Sequence, residues 1–99
     1  MVKLIMTWDI QEGQEQAYIE FAVGELSPAL NALGLQIGEV WYTQIGSGPE
    51  MVVAGLMPSR EEANLLVGSP EWQRLRAQLN EFVENIKVKV VQPKGPFQM

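Results

Sequence analysis

The segment VKLIMTWDI, residues 2–10, decides how this 99-residue chain is expected to fold. Hydrophobic side chains recur at every second position, and this period of two is typical of a β-strand. One set of alternate positions is wholly apolar: Val2, Leu4, Met6 and Trp8. The other set mixes charged, polar and apolar side chains: Lys3, Ile5, Thr7 and Asp9. We therefore expect a strand with one face in a core and a second face of mixed character.

A matching segment lies near the other end of the chain. Ile86, Val88 and Val90 alternate with Lys87 and Lys89, which predicts a last strand. We assign the three apolar residues to the same covered face as Leu4 and Met6. Two further strands are predicted at 35–45 and 50–57, with a turn at 46–49 and a possible bulge at Gly38.

Two helical regions fill the remaining chain. Residues 14–33 carry hydrophobic side chains at spacings of three and four, which predicts a helix that ends at Gly34. Pro28 lies inside this helix and cannot donate a hydrogen bond to Gly24, so we expect a bend or break there.

The second helical region is predicted in two pieces. Ser59 and Glu62 form a capping box that opens the first piece, which stops at Gly68. The segment GSPEWQRL, residues 68–75, then restarts the helix, with Ser69 as the cap and Pro70 in the first helical position. Trp72 follows as an anchor in a core or an interface. A hydrophobic stripe continues this piece to residue 83.

The element order βαββαβ predicts an α+β, ferredoxin-like fold. This fold has a four-stranded antiparallel sheet with two helices on one face. We expect one domain over residues 1–92 and a C-terminal tail over residues 93–99.

Composition excludes several classes of function. The chain contains no Cys and no His, which removes thiolate nucleophiles, imidazole bases and the usual zinc or haem ligands. We therefore expect neither a metal nor a cofactor. The net charge of −5 disfavours nucleic acid and anionic membranes as partners. The opening residues lack a signal-peptide core, and no apolar run is long enough to span a membrane. A cytoplasmic location is the expectation.

The uncovered face of the predicted sheet needs a partner. Two helices cover only one face, and the other is too apolar for a surface that faces only water. A homodimer through this sheet face would bury the apolar side chains and leave a partly polar space between the two copies.

In this respect the chain resembles the dimeric α/β-barrel superfamily. The segments that carry the resemblance are KLIMTWDI (3–10), the helix start near Gly13, LSPALNALG (26–34) and GSPEWQRL (68–75). The superfamily includes proteins like the antibiotic-biosynthesis monooxygenases, the NIPSNAP-like proteins and the EthD-like proteins. The resemblance implies a dimer of paired sheets, and in some members cofactor-free oxidation of small aromatic molecules. The chain departs from the haem-degrading and EthD-like members, because their chemistry uses a His that is absent here.

The candidate site residues lie on the predicted uncovered face. Asp9 is the candidate catalytic base, provided that desolvation raises its pKa. Thr7, Lys87 and Lys89 are candidate ligand-binding residues, and the lysines could form a charged patch with Asp9. The pair Trp41 and Tyr42 completes the set, because adjacent strand residues face opposite sides and one of them must face away from the helices.

Two functions remain open from the sequence. In the first, a homodimer binds a small hydrophobic or aromatic molecule in a cavity between sheet and helices, either without reaction or with cofactor-free oxidation of that molecule. In the second, the chain is a non-catalytic ligand-binding or structural homodimer. The sequence does not decide whether the protein is an enzyme. A cavity filled by Met6, Met51 and Met57 would argue against a ligand there.

Overall fold

A computed structural model of the chain describes residues 1–42 and 50–92. The elements are β1 (Val2–Ile10), α1 (Glu15–Phe21), a π-helical turn (Ala22–Leu26), α2 (Ser27–Ala32), β2 (Gln36–Tyr42), β3 (Met51–Met57), α3 (Arg60–Val67), α4 (Pro70–Leu79) and β4 (Val83–Val91). The predicted turn at 46–49 and the predicted tail at 93–99 lie outside the described residues.

The four strands form one antiparallel sheet in the order β2-β3-β1-β4. β1 therefore lies in the middle, between β3 and β4, and it pairs with both along most of its length. The helices cover one face. This arrangement confirms the predicted ferredoxin-like α+β fold.

The core forms between the helices and the covered face of β1. Leu4, Met6 and Trp8 are fully buried there, and the β4 side chains Val88 and Val90 pack against the same cluster. The alternation in the sequence thus predicted the orientation of both strands correctly. Burial of such side chains stabilises the fold by about 25 cal/mol for each Å² of apolar surface removed from water.

The first helical region is interrupted one turn earlier than Pro28. The backbone N–H of Ser27 donates to the carbonyl of Ala22, five residues back, so the turn Ala22–Leu26 is wider than an α-helical turn. Helix α2 then begins with Pro28 in its first turn. The widened turn accommodates the proline ring, which would otherwise press on the carbonyl of Gly24.

The second helical region follows the predicted pieces but is shorter at its end. Ser59 accepts a hydrogen bond from the N–H of Glu62 at 3.2 Å, and Ser69 accepts one from the N–H of Trp72 at 3.1 Å. Both serine caps are confirmed, whereas the second bond of the predicted capping box, from the Ser59 N–H to the Glu62 carboxylate, is not formed. Helix α4 ends at Leu79, however, and Val83 already belongs to β4. Helical spacing misplaced Val83 because this residue is buried in the core from a strand and not from a helix.

Two bulges adjust the sheet. The first lies between Ile37 and Glu39 on β2 and confirms the bulge expected at Gly38. The second lies on β4 between the partners of Thr7 and Asp9, and it contains Asn85 with φ at 59°. Asparagine tolerates this left-handed conformation better than most residues.

No helix in the described ranges, 1–42 and 50–92, is long and apolar enough to cross a membrane.

Candidate functional site

The face of the sheet that points away from the helices, here called the outer face, brings most of the candidate residues together. Residues directly opposite each other on neighbouring strands share a face, so the strand register defines rows across the sheet. The outer face carries three such rows: Trp41, Val52, Thr7 and Lys87; Glu39, Ala54, Ile5 and Lys89; Gln36, Leu56, Lys3 and Val91.

The first row settles which aromatic residue of β2 lies on this face. Trp41 is opposite Val52, which is opposite Thr7, so the indole ring lies on the outer face and 62% of Trp41 is exposed. Tyr42 is opposite Met51 and lies on the helix side of the sheet, where it is 49% exposed. The two predicted ligand-binding aromatics are therefore on different faces.

A shallow pocket of about 170 Å³ lies beside Trp41. It is lined by Lys3, Ile5, Glu39, Trp41, Val52 and Ala54. The Lys3 Nζ and Glu39 Oε1 atoms form an ion pair of 2.9 Å, and this pair spans β3 at the small side chain of Ala54. Ala54 itself is 5% exposed. The pocket thus has an aromatic wall, an apolar floor and a charged edge.

Asp9 lies at the end of β1 and is held by hydrogen bonds. Its Oδ1 accepts from the backbone N–H of Glu50 at 3.0 Å, and its Oδ2 accepts from the side-chain amide of Asn85 at 2.9 Å. The Glu50 carboxylate in turn accepts from the backbone N–H of Ile10 at 3.0 Å. Asp9 and Glu50 therefore fasten β1 to the start of β3, and Asn85 adds β4.

These contacts determine the direction of the Asp9 pKa. The hydrogen bonds from Asn85 and from the Glu50 N–H hold the pKa of Asp9 below its ordinary value, with a small contribution from the charge of Lys87. Desolvation acts the other way but is outweighed. The condition attached to the catalytic role, a pKa raised by desolvation, is not met, because both carboxylate oxygens are already engaged by donors.

Lys87 and Lys89 are exposed on the edge strand β4. They lie in the rows of Thr7 and Ile5, and neither forms an ion pair with Asp9 within the described residues. The predicted charged patch is therefore two separate features: a lysine edge on the outer face and an Asp9 clamp at the end of the sheet. Lysines on an exposed edge also oppose sheet-to-sheet aggregation.

The space between sheet and helices is filled. Met6, Met51 and Met57 are 0%, 7% and 2% exposed and belong to the core cluster. Trp8 packs edge-on against Tyr18 with ring centroids 6.2 Å apart, and burial raises the pKa of the Tyr18 hydroxyl. The three methionines thus occupy the region where the sequence led us to expect a ligand cavity.

A larger groove, of about 580 Å³, lies on the helix side of the molecule. Its lining residues come from the end of the first helical region and from α4: Ala29, Ala32, Leu33, Glu71, Arg74, Leu75, Ala77 and Gln78. The walls are mostly small or apolar, and α2 and α4 make few backbone contacts with each other. Sequence analysis missed this groove, since alanines on a helix do not reveal whether another helix packs on them.

Sequence analysis also missed Asn85 and Glu50 as partners of Asp9. They lie 76 and 41 positions away along the chain, and no spacing rule connects them with Asp9. The asparagine just before the alternating segment of β4 was the only available signal.

Among residues 1–42 and 50–92, no group of three Asp or Glu side chains lies close enough to hold a metal ion.

No family model matches the chain, and no curated protein matches its sequence. Solved structures do match. A NIPSNAP-family protein from Agrobacterium tumefaciens is 18% identical with a TM-score of 0.68, and the match covers 98% of each chain. An uncharacterised NIPSNAP-domain protein from Burkholderia xenovorans is 15% identical with a TM-score of 0.71, covering 97% of each chain.

HapK from Hahella chejuensis is 12% identical with a TM-score of 0.76, and the match covers 100% of this chain and 98% of HapK. At such low identities the likeness establishes the fold alone. The fold that this chain shares with NIPSNAP-family structures is ferredoxin-like. Membership of the dimeric α/β-barrel superfamily stays a prediction, and the chain is not assigned to a subfamily.

Proposed function

We propose that the chain acts as a homodimer through its outer face and that the space between the two copies binds a small hydrophobic or aromatic molecule. The observation that carries this proposal is the outer face itself. Trp41 and Leu56 are exposed there, and Ile5 and Val52 are half-buried beside the 170 Å³ pocket. An apolar patch rimmed by charges is typical of an interaction surface.

The charges on the outer face favour a second copy as the occupant. A two-fold axis parallel to the strands places β4 of each copy over β2 of the other. Lys89 then lies opposite the partner's Glu39, and Lys87 lies opposite the partner's Trp41, where an ammonium group is attracted to an indole face. An axis across the strands would instead place β4 over β4 and bring the lysines together, which is unfavourable.

The half-pocket beside Trp41 is too small on its own for most ligands, since small-molecule sites usually enclose roughly 300–1,000 Å³. A second copy would enclose the half-pocket and contribute an equivalent set of lining residues. The exposed indole offers a flat surface on which a planar ligand can stack. Thr7 and the Lys87–Lys89 edge supply polar groups for an oxygen-bearing substituent on that ligand.

Binding is better supported than oxidation. A cofactor-free oxidation would need a base to remove a proton from the substrate, and Asp9 is the candidate from the sequence. The pKa of Asp9 is held below its ordinary value by Asn85 and Glu50, which makes the carboxylate a weaker base. Turnover that is lost in an Asp9→Asn variant with an intact dimer would support the catalytic hypothesis.

The cytoplasmic location also stays a prediction.

The dimer is tested by a charge placed in the middle of the outer face. Ile5→Glu should convert the protein from a dimer to a monomer in sedimentation experiments, because an unpaired carboxylate would be buried between the copies. Leu65→Glu is the matched control, since Leu65 is 67% exposed on α3 and lies on the helix side. A wild-type protein that sediments as a monomer at high concentration would refute the dimer.

The ligand is tested by a thermal-shift screen of small phenols, quinones and fatty acids, because a molecule that binds only the folded state raises its melting temperature. A true ligand of the outer face should also quench the fluorescence of Trp41, and this quenching should disappear in both Trp41→Leu and Trp41→Phe. The rise in melting temperature should disappear in Trp41→Leu but persist in Trp41→Phe, because a phenyl ring still offers a flat surface for stacking. Trp8 and Trp72 are buried and provide the background signal. Shifts that are unchanged in Trp41→Leu would place the ligand elsewhere.

A further inference from the structure

The groove between α2 and α4 lies on the side of the molecule opposite to the outer face. It extends along α4 from Glu71 to Gln78, a distance of about 10 Å at the α-helical rise. Its walls are formed by Ala29, Ala32 and Ala77 with Leu33 and Leu75. A groove of about 580 Å³ falls within the range of small-molecule sites. Its length and its apolar walls suit an extended hydrocarbon chain better than a compact ring.

The polar residues of the groove are arranged along one side of α4. Arg74 and Gln78 are four residues apart and therefore share a helix face. Glu71 lies one turn before Arg74, yet no carboxylate in the described ranges forms an ion pair with the Arg74 guanidinium. Arg74 is the one cation among the residues that line the groove, so it is the group there that can pair with an anion. Arg74 and Gln78 can both donate hydrogen bonds to one carboxylate.

We propose that this groove binds a linear amphiphile with a single carboxylate, such as a medium-chain fatty acid. The hydrocarbon chain lies against the alanines and leucines, and the carboxylate is held by Arg74 and Gln78. Glu71 lies on the other side of Arg74 and weakens binding by repulsion, which limits the ligand to one negative charge. This site is separate from the outer face and does not depend on the dimer.

The test is titration calorimetry of the full chain with dodecanoate below its micellar concentration, with dodecanol as the neutral analogue. Arg74→Gln should weaken dodecanoate binding about fivefold, the effect of an exposed ion pair, and should leave dodecanol binding unchanged. Glu71→Gln should strengthen dodecanoate binding. Arg76→Gln is the matched control: it removes an equal charge from the same helix outside the groove, and the affinity should stay the same.

Ala77→Trp fills the groove and should abolish binding of both molecules, with circular dichroism as the check on folding. Equal weakening in Arg74→Gln and Arg76→Gln would show general charge attraction only and would overturn the proposal. Dodecanoate binding that persists in Ala77→Trp, or that is absent in the wild type, would overturn it as well. Trp41→Leu and Ile5→Glu should leave dodecanoate binding intact, so failure of this site and failure of the outer-face proposal are distinguishable.

Discussion

Asp9 illustrates how one residue type can be placed correctly and still be misjudged chemically. Its position on the uncovered side of β1 followed from the alternation in residues 2–10. Its partners, Asn85 and the N–H of Glu50, come from other strands, and they lower its pKa where a catalytic base would need a raised one. The residue type in the sequence suggested a base, whereas the hydrogen bonds indicate a link between three strands.

The lowered pKa predicts how stability depends on pH. A carboxylate whose pKa is lower in the folded state contributes stability above its unfolded pKa, near 3.8, and loses that contribution as the pH falls through its folded pKa. Asp9→Asn should therefore reduce the free energy of unfolding by about 1 kcal/mol at neutral pH, from the loss of the Asn85 hydrogen bond. The difference from the wild type should shrink at about pH 3.

Urea unfolding at both pH values measures this difference. Glu12→Gln is the control, because Glu12 is exposed and forms none of the hydrogen bonds or ion pairs described here. A pH dependence that is identical in the wild type and in Asp9→Asn would show that Asp9 makes no net contribution.

At the scale of elements, glycines and proline decide where regular structure gives way. The turn Ala22–Leu26 widens just before Pro28, and the bulge at Gly38 shifts the register of β2.

Gly55 has a different role in β3. A Cβ atom at this position would lie 2.7 Å from the carbonyl oxygen of Gln36 and 2.8 Å from Leu35 Cδ1. The close approach of the β2 start to β3 therefore requires glycine.

Gly55→Ala should destabilise the protein by roughly 1–3 kcal/mol, because the backbone of Gln36 cannot move aside without breaking its pairing with Leu56. Gly38→Ala is the matched control in the adjacent strand, since a Cβ there meets nothing within 4 Å. Its effect should stay within about 0.5 kcal/mol. Chemical denaturation measures both, and equal effects of the two substitutions would contradict the close approach.

At the scale of the whole molecule, the two faces of the sheet differ in how far they are covered. The helices bury the central part of one face, around Leu4, Met6 and Trp8, and leave Tyr42 on the edge strand half-exposed. The outer face retains Trp41 at 62% and Leu56 at 36% exposure, and a second copy of the chain is the proposed cover. The helix layer adds its own groove beside Arg74. The molecule thus offers two surfaces of different chemistry, one suited to a flat partner and one to a narrow ligand.

A homodimer predicts that thermal stability depends on chain concentration. By mass action, each tenfold increase in concentration should raise the melting temperature by about 3–5 °C for a dimer of this size. Ile5→Glu should melt at a lower temperature that does not change with concentration. Calorimetric scans over a hundredfold range make the measurement, and a constant wild-type melting temperature across that range would count against the dimer.

The sequence alone determined the fold class, the covered face of β1 and both serine caps, because these depend on local periodicity and on side chains three residues apart. It placed Trp72 in an anchoring role, and the residue is fully buried. Tertiary structure alone decided that Trp41 rather than Tyr42 lies on the outer face, since a bulge on β2 sets the register. It also decided the partners of Asp9, the filled interior and the groove beside Arg74. These features depend on contacts between residues far apart in the chain, and no local pattern encodes such contacts.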